Sequence, residues 1–258
     1  MIELLTSYTM SHIPYISNEA LDEYAENLIT DFSPGLLNAP APVDVLGFIK
    51  NYLGLNMVYE KLCYEKKVIG FTAFHDGFVS VFDERTSCKK IEPVKGGTVI
   101  IDKSLMGKRN VRRLRFTIMH EGSHWLLHRK TFANDSPAGN IGAFEVKYLA
   151  AKIGRTDYSR SKLDKTDKDR IERQADFLSY AILMPLPALR IAFRNFFYMI
   201  DEKPRVIIRG ADPKEEHTAK QLAGYIADIF TVSNRAALIR LEKLNAVVDI
   251  GGGLYSIV

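Results

Sequence analysis

A histidine motif in the middle of the chain contains the residue types that hydrolytic metal sites use. The segment His120-Glu121-Gly122-Ser123-His124 has the pattern H-E-x-x-H. Residues four apart in a helix lie on the same face, so both imidazoles could bind one cation. Glu121 is rotated by about 100° around the helix axis, and its carboxylate could accept a proton from a water molecule activated by the metal. The motif therefore predicts zinc-dependent hydrolysis with Glu121 as general base.

A catalytic zinc site needs a third protein ligand, because one of its about four positions is left for water. Glu172 is the best candidate, since it heads a predicted helix and Asp176 follows one turn later on the same face. The Asp176 carboxylate could accept the second N–H of a metal-bound imidazole and fix its orientation. Spacing alone leaves other acids downstream of the motif open as ligands, namely Glu145, Asp167 and Asp169.

His128 lies one helical turn beyond His124. It could stabilise an oxyanion, or it could hydrogen-bond to a metal ligand and hold that ligand in place. The alternative is a cation near the C-terminus of the helix, where the helix dipole favours positive charge. We favour this second interpretation from the sequence alone.

The elements that must position these residues follow from periodicity. Residues 110–129 have a helical pattern, with an apolar stripe that should face the core and is made of Val111, Leu114, Ile118 and Trp125. A second helical pattern covers 171–184 and stops at Pro185. Between them, 131–168 is predicted to be mostly an insertion or mobile loop, with a weak helical pattern at 142–154.

Residues upstream of the motif predict two helices followed by a small, mostly antiparallel sheet. The helices are expected at 17–28 and 43–53, and the strands at 55–62, 68–77, 78–83 and 97–105. Asp76-Gly77 is typical of a hairpin turn between two strands. Two short helices, 218–230 and 233–244, end the chain and have the proportions of a helix-turn-helix or of a packed αα-hairpin.

Two sequence blocks resemble those of the ImmA/IrrE metallopeptidases. The first block is Arg115-Phe116-Thr117-Ile118-Met119-His120-Glu121 with the trailing Leu126-Leu127-His128. The second block is Glu172-Arg173-Gln174-Ala175-Asp176-Phe177, ending in Leu183-Met184-Pro185. The resemblance covers most of residues 17–190.

This resemblance implies an α+β, zincin-like fold that is mainly helical with a small mixed or antiparallel sheet. It implies a gluzincin site in which Zn²⁺ is bound by His120, His124 and Glu172, with Glu121 as catalytic base. Asp176 and His128 would lie behind the ligands. The implied substrate is a transcriptional repressor of the helix-turn-helix type, whose cleavage would switch on stress-response or mobile-element genes.

The chain departs from the family pattern in three places. Ser123 precedes the second histidine, where the family usually has glycine, and Leu178-Ser179 stands where the family has Phe-Ala. The second histidine and Glu172 are 48 positions apart, which is longer than the family spacing. The insertion at 131–168 accounts for the extra length.

Composition sets the broader expectations. The 258 residues include 35 Lys and Arg against 31 Asp and Glu, 47% apolar residues and two cysteines, which is typical of a folded protein without a disulfide framework. No membrane span and no secretory signal are expected, so the cytoplasm is the predicted compartment. We predict a metallopeptidase domain at 1–200 and a C-terminal helical segment at 201–258.

Basic residues concentrate just before the motif, at Lys103, Lys108, Arg109, Arg112, Arg113 and Arg115. A surface for nucleic acid or for an acidic peptide is one interpretation, but a solvated helix face is favoured because no aromatic residues alternate with the charges. Direct binding of nucleic acid is therefore not expected. The main alternative to a peptidase is a regulatory protein that binds a repressor or DNA without cleaving it.

Overall fold

The computed structural model describes residues 13–62, 68–133 and 167–250, and the backbone of 148–152. The chain divides into two compact units. The first has the chain limits Met1–Glu23 and Asp44–Ser179, and the second has the limits Tyr24–Val43 and Tyr180–Val258.

The helices and strands occur mostly in separate runs along the chain, which is typical of an α+β fold. The helices are α1 (Asn18–Phe32), α2 (Gly35–Asn38), α3 (Val45–Gly47, continued by the π-helical turn Phe48–Tyr52), α4 (Val111–Ala133), α5 (Asp167–Leu183), α6 (Leu186–Met199), α7 (Pro213–Phe230) and α8 (Asn234–Lys243). The strands are β1 (Asn56–Glu60), β2 (Val68–Ala73), β3 (Gly77–Asp83), β4 (Cys88–Val94), β5 (Thr98–Asp102), β6 (Tyr148–Lys152), β7 (Ile207–Arg209) and β8 (Val247–Asp249). The prediction of a mainly helical α+β fold with small sheets is confirmed.

Within the described ranges no single helix has both the length and the apolarity to cross a membrane. Only α5 together with α6, as a bent pair, reaches that length and composition.

The main sheet of the first unit has four strands in the order β1-β5-β2-β6. The β1–β5 pairing is parallel, whereas β2 is antiparallel to both of its neighbours. A separate antiparallel hairpin is formed by β3 and β4. Strand β4 was not predicted, because its sequence CKKIEPV is polar and most of its residues are exposed. The sheet is therefore mixed, with two antiparallel pairings and one parallel pairing, and the prediction of a mostly antiparallel sheet is confirmed except for the β1–β5 pairing.

The turn at Asp76-Gly77 does not close a hairpin, since the strands on its two sides belong to different sheets. The Asp76 carboxylate accepts hydrogen bonds from the backbone N–H of Gly96 and from the Lys95 ammonium, both at 2.9 Å. These bonds connect the turn to the loop before β5. The hairpin interpretation of this turn is wrong because long-range pairing, which local sequence does not encode, decides the partner of each strand.

Part of the predicted insertion belongs to the sheet. The weak helical pattern at 142–154 includes Tyr148–Lys152, which form β6 along the edge of β2. Leu149, Ala150 and Ala151 favour a helix by intrinsic propensity, but β2 offers backbone hydrogen bonds that outweigh it. The helical interpretation is wrong for these five residues, and the rest of the pattern lies outside the described residues.

Helix α4 is covered on several sides rather than along one stripe. The side chain of Thr72 on β2 contacts Glu121, and the Ser179 side chain on α5 contacts Ser123. Of the predicted core stripe, Ile118 is buried, but Val111 is 40% exposed at the start of the helix. The face with His120 is therefore as deeply buried as the apolar face, which a helical wheel does not reveal.

The second unit is built mainly from α6, α7 and α8, beside the parallel pair β7–β8. Its buried side chains include Phe197, Leu222 and Phe230. Ser233 caps α8 by accepting a hydrogen bond from the Ala236 N–H. The two C-terminal helices are confirmed, while strand β7 was not predicted from the sequence.

Candidate metal centre

Four ionisable side chains of α4 are buried in the first unit. His120 is 4% exposed, Glu121 and His124 are fully buried, and His128 is 2% exposed. Their spacing of one residue or one turn follows directly from the helix. Burying ionisable groups is costly unless they pair with partners or coordinate a metal, so this face needs a specific explanation.

The two motif histidines converge with a glutamate from α5. Nε2 of His120 lies 2.9 Å from Nε2 of His124 and 3.6 Å from Oε2 of Glu172. One donor atom from each of these three side chains lies within 4.8 Å of the other two. In a tetrahedral site with bonds of about 2.0–2.2 Å, ligand atoms are roughly 3.3–3.6 Å apart. The three donors therefore fit a single metal ion.

The other acids that the sequence left open do not join this cluster. Asp167 and Asp169 lie in the first turn of α5. The Asp167 carboxylate is 3.4 Å from the Arg170 guanidinium. Glu145 lies outside the described residues. Among the described acids downstream of the motif, Glu172 is the one that the structure places with both histidines.

Asp176 lies behind the first histidine, as its position one turn after Glu172 suggested. Its Oδ1 is 2.7 Å from Nδ1 of His120. Burial acts to lower the pKa of His120, but the charge and contact of Asp176, with help from Glu172 and Glu121, raise this pKa well above its ordinary value. The surroundings of His120 therefore favour positive charge, as expected where carboxylates and imidazoles gather around a cation.

The Glu121 carboxylate is placed by β2. The Thr72 hydroxyl can donate to the Glu121 backbone carbonyl at 2.8 Å or to Oε2 at 3.0 Å. Gly70, two residues earlier on the same strand, has no side chain; a Cβ there would lie 3.2 Å from Oε1 of Glu121. Strand β2 thus provides both a hydrogen-bond donor and the space that this carboxylate occupies.

His128 continues the histidine row towards α5. Its Nδ1 is 3.2 Å from Nδ1 of His124, and its Nε2 is 3.0 Å from Oε1 of Gln174. Burial lowers the pKa of His128 to about 4. The imidazole is therefore neutral near pH 7, which does not suit the helix-terminal cation that we favoured from the sequence.

The departures from the family pattern at Ser123 and Ser179 contact each other. Their hydroxyl oxygens are 3.0 Å apart in a buried position between α4 and α5. A Cβ at Gly122 would collide with the end of the Ile49 side chain, which would have to move. The displaced glycine of the motif therefore still lies at a close contact.

Thr72 was not predicted as a site residue, because it is 49 positions from Glu121 along the chain. Gln174 was quoted only as part of the second block, although its place between Glu172 and Asp176 on α5 could have suggested that it faces the same site. Both residues act across elements, so only the folded chain shows their partners.

The family model Peptidase_M78, described as the IrrE N-terminal-like domain, matches residues 108–242, just over half of the chain. The matched range includes all three candidate ligands and α7. None of the curated proteins compared with the chain matches it. The family expected from the two sequence blocks is confirmed, and so is the broad class of hydrolase. The chain belongs to the Peptidase_M78 family, the metallopeptidases with an IrrE N-terminal-like domain.

Proposed function

We propose that the protein is a zinc-dependent endopeptidase with Glu121 as its general base. The observation that carries this proposal is that the buried side chains of His120, His124 and Glu172 converge on one point in the first unit. Two imidazoles and one carboxylate are a donor set that catalytic zinc sites use. A zinc ion held there would supply Lewis-acid activation of a water molecule and of the scissile carbonyl.

The protein's own side chains would handle the proton. Glu121 accepts it from the attacking water and returns it to the leaving amine. The Thr72 hydroxyl, 3.0 Å from Oε2, restrains the carboxylate during both transfers. The Asp176 carboxylate, 2.7 Å from Nδ1 of His120, would favour a hydrogen on that nitrogen and leave the lone pair of Nε2 for the metal.

The proposed substrate is a DNA-binding repressor of the helix-turn-helix type, and the proposed compartment is the cytoplasm. The substrate comes from the resemblance to the ImmA/IrrE peptidases, whereas the compartment comes from the composition, with two cysteines and no disulfide framework. Cleavage would inactivate the repressor and switch on stress-response or mobile-element genes. In this proposal the protein contacts the repressor and not the DNA.

The test combines metal analysis with the Glu121→Gln variant. We expect about one zinc per chain in the wild type and in Glu121→Gln, and about half an equivalent or less in Glu172→Gln. Glu121→Gln should cleave candidate repressors from neighbouring genes roughly 10²–10⁴-fold more slowly than the wild type. The exposed Glu84→Gln is the matched control and should cleave normally.

Equal cleavage by the wild type and by Glu121→Gln would contradict the general-base role. A zinc-loaded wild type that binds the repressor without cleaving it would instead support the non-proteolytic alternative. A wild type that binds DNA with a steep salt dependence would support direct regulation at the operator.

A further inference from the structure

Gln174 is almost fully buried on α5, between a metal ligand and its supporting acid, and the mechanism above gives it no role. We propose that Gln174 sets the metal-binding tautomer of His124, acting through His128. This inference rests on the proposed metal site. It makes Gln174 a positioning residue, connected to the ligand through two hydrogen bonds.

The first step fixes the orientation of the Gln174 amide. Its Nε2 donates to the backbone carbonyl of Pro14 at 2.7 Å. A carbonyl can only accept, so the NH₂ group must face Pro14 and Oε1 must face His128. The residue before Pro14 is itself held in place, because Arg170 donates to the carbonyl of Ile13 at 2.7 Å.

The second step fixes the proton on His128. Oε1 of Gln174 can only accept, so Nε2 of His128, 3.0 Å away, must carry the hydrogen. A neutral imidazole has one N–H, and Nδ1 of His128 is then an acceptor. The atom that faces it at 3.2 Å is Nδ1 of His124, which must be the donor.

The third step reaches the metal. With its hydrogen on Nδ1, His124 has a bare lone pair on Nε2, the atom that lies 2.9 Å from Nε2 of His120. Asp176 leaves His120 in the same state from the other side. In the metal-bound form neither Nε2 atom carries a hydrogen, and both lone pairs can bind the same cation. Gln174 and Asp176 therefore prepare the two histidine ligands by separate routes.

The decisive measurement is metal affinity, by competition of the full-length protein with a zinc chelator. Gln174→Met keeps the side-chain length but removes both polar groups, and we expect it to weaken zinc binding roughly 10- to 100-fold. Arg173→Met is the matched control: it loses its bond to the carbonyl of Ile16 on the same segment but leaves the Gln174–His128 contact intact. We expect its affinity to stay within about threefold of the wild type.

A second readout reports the tautomers directly. Imidazole ¹⁵N chemical shifts of the wild type should place the hydrogen on Nε2 of His128 and on Nδ1 of His124, and Gln174→Met should mix the two forms of His128. This measurement on the wild type decides the matter even if the variant fails to fold. Hydrogen on Nδ1 of His128, or equal affinity losses in Gln174→Met and Arg173→Met, would overturn the inference.

The outcomes also separate this inference from the proposed function. If the wild type binds zinc, Gln174→Met binds it more weakly and the wild type cleaves no peptide, the proposed role of Gln174 stands and the peptidase mechanism is contradicted. Glu121-dependent cleavage at a normal rate, with unchanged zinc affinity in Gln174→Met, would support the peptidase mechanism and contradict the proposed role of Gln174. A wild type that binds no metal would contradict both.

Discussion

The hydroxyl of Thr72 is completely buried and faces two acceptors on the same residue, the backbone carbonyl and the carboxylate of Glu121. A hydroxyl has one hydrogen. This hydrogen can bond to the two acceptors in turn or be shared between them. Because Thr72 is on a central strand of the sheet, its position is well fixed. The proposed general base is therefore restrained by an element other than its own helix.

This contact predicts a defined effect of Thr72→Val, which keeps the shape of the side chain and removes the hydroxyl. A hydrogen bond to a charged group contributes about 1.5–3 kcal/mol, so kcat should fall roughly 10- to 100-fold when that stabilisation is realised in the transition state and not in the ground state. KM and zinc content should change little, since Thr72 contacts neither substrate nor metal ligand. Steady-state kinetics on a cleaved repressor and zinc analysis would measure both.

Thr72→Ser is the conservative control for this prediction. It keeps a donor at the same place and should recover most of the lost kcat. If Thr72→Val retained full kcat, or if serine failed to recover any of the loss, the hydroxyl would have no positioning role.

At this scale the sequence predicted those residues whose relation is local. His120, Glu121 and His124 follow from one motif on one helix, and the structure brings both histidines to Glu172, which the resemblance singled out. Thr72 was not predictable, because its partner comes from a strand 49 positions earlier. A threonine in a strand is ordinary by composition.

Between elements, one contact that connects the two helices with the candidate ligands is the pair Ser123–Ser179. The Ser179 hydroxyl donates to the carbonyl of Ala175 at 2.6 Å. Its hydrogen is thus already used, and Ser123 must be the donor across the 3.0 Å between the two hydroxyls. The two bonds form a short directional chain from α4 into α5.

This direction predicts unequal costs for the two alanine variants. Ser179→Ala leaves the Ser123 hydroxyl buried without its acceptor, which should cost about 1–3 kcal/mol of unfolding free energy. Ser123→Ala leaves Ser179 bonded to Ala175, and should cost only about 0.5–1.5 kcal/mol. The double variant should be no less stable than Ser179→Ala alone. Denaturant unfolding of the wild type, the two single variants and the double variant would measure the four unfolding free energies of this double-mutant cycle.

Equal costs for the two single variants, or simple additivity in the double variant, would contradict the proposed direction of the bonds. Metal affinity provides a separate control, because neither serine takes part in the hydrogen bonds that join Gln174, His128 and His124. It should remain close to that of the wild type in each single variant.

The elements themselves were predictable where one face is strongly apolar or where a cap is present. Helices α4, α7 and α8 lie close to their expected positions, and Gly54 ends the second helical segment with a φ of 66°. Strand β4 was missed because its exposed polar sequence gives no alternation. The parallel β1–β5 pairing and strand β6 depend on partners far along the chain, which local patterns do not encode.

For the whole chain, the excess of positive charge is small and part of it is paired. Lys103, the first residue of the basic segment, makes an ion pair with Glu60 at 3.2 Å. In the C-terminal helices, Arg240 is completely buried and cannot reach DNA. Exposed cations such as Arg109 and Lys243 remain, so the absence of nucleic-acid binding stays a prediction for the salt-dependence measurement.

Zinc should stabilise the folded chain as a whole, because its ligands come from two helices of the first unit that are brought together only by folding. A ligand that binds only the folded state stabilises it by about 1.4 kcal/mol for each tenfold rise in free concentration above Kd. For a unit of this size the melting temperature should rise by roughly 3–6 °C per tenfold step. Calorimetry in zinc buffers over several decades of free zinc would measure the slope.

Glu172→Gln is the matched control, since it keeps the size of the side chain and loses the anionic ligand. Its melting temperature should begin to rise only at a higher free zinc concentration than that of the wild type. The metal-free wild type, in contrast, must bury Glu121, Glu172 and His120 together without a metal ion, and should therefore be the less stable form. A wild-type melting temperature that is independent of free zinc would contradict a metal site built from these residues.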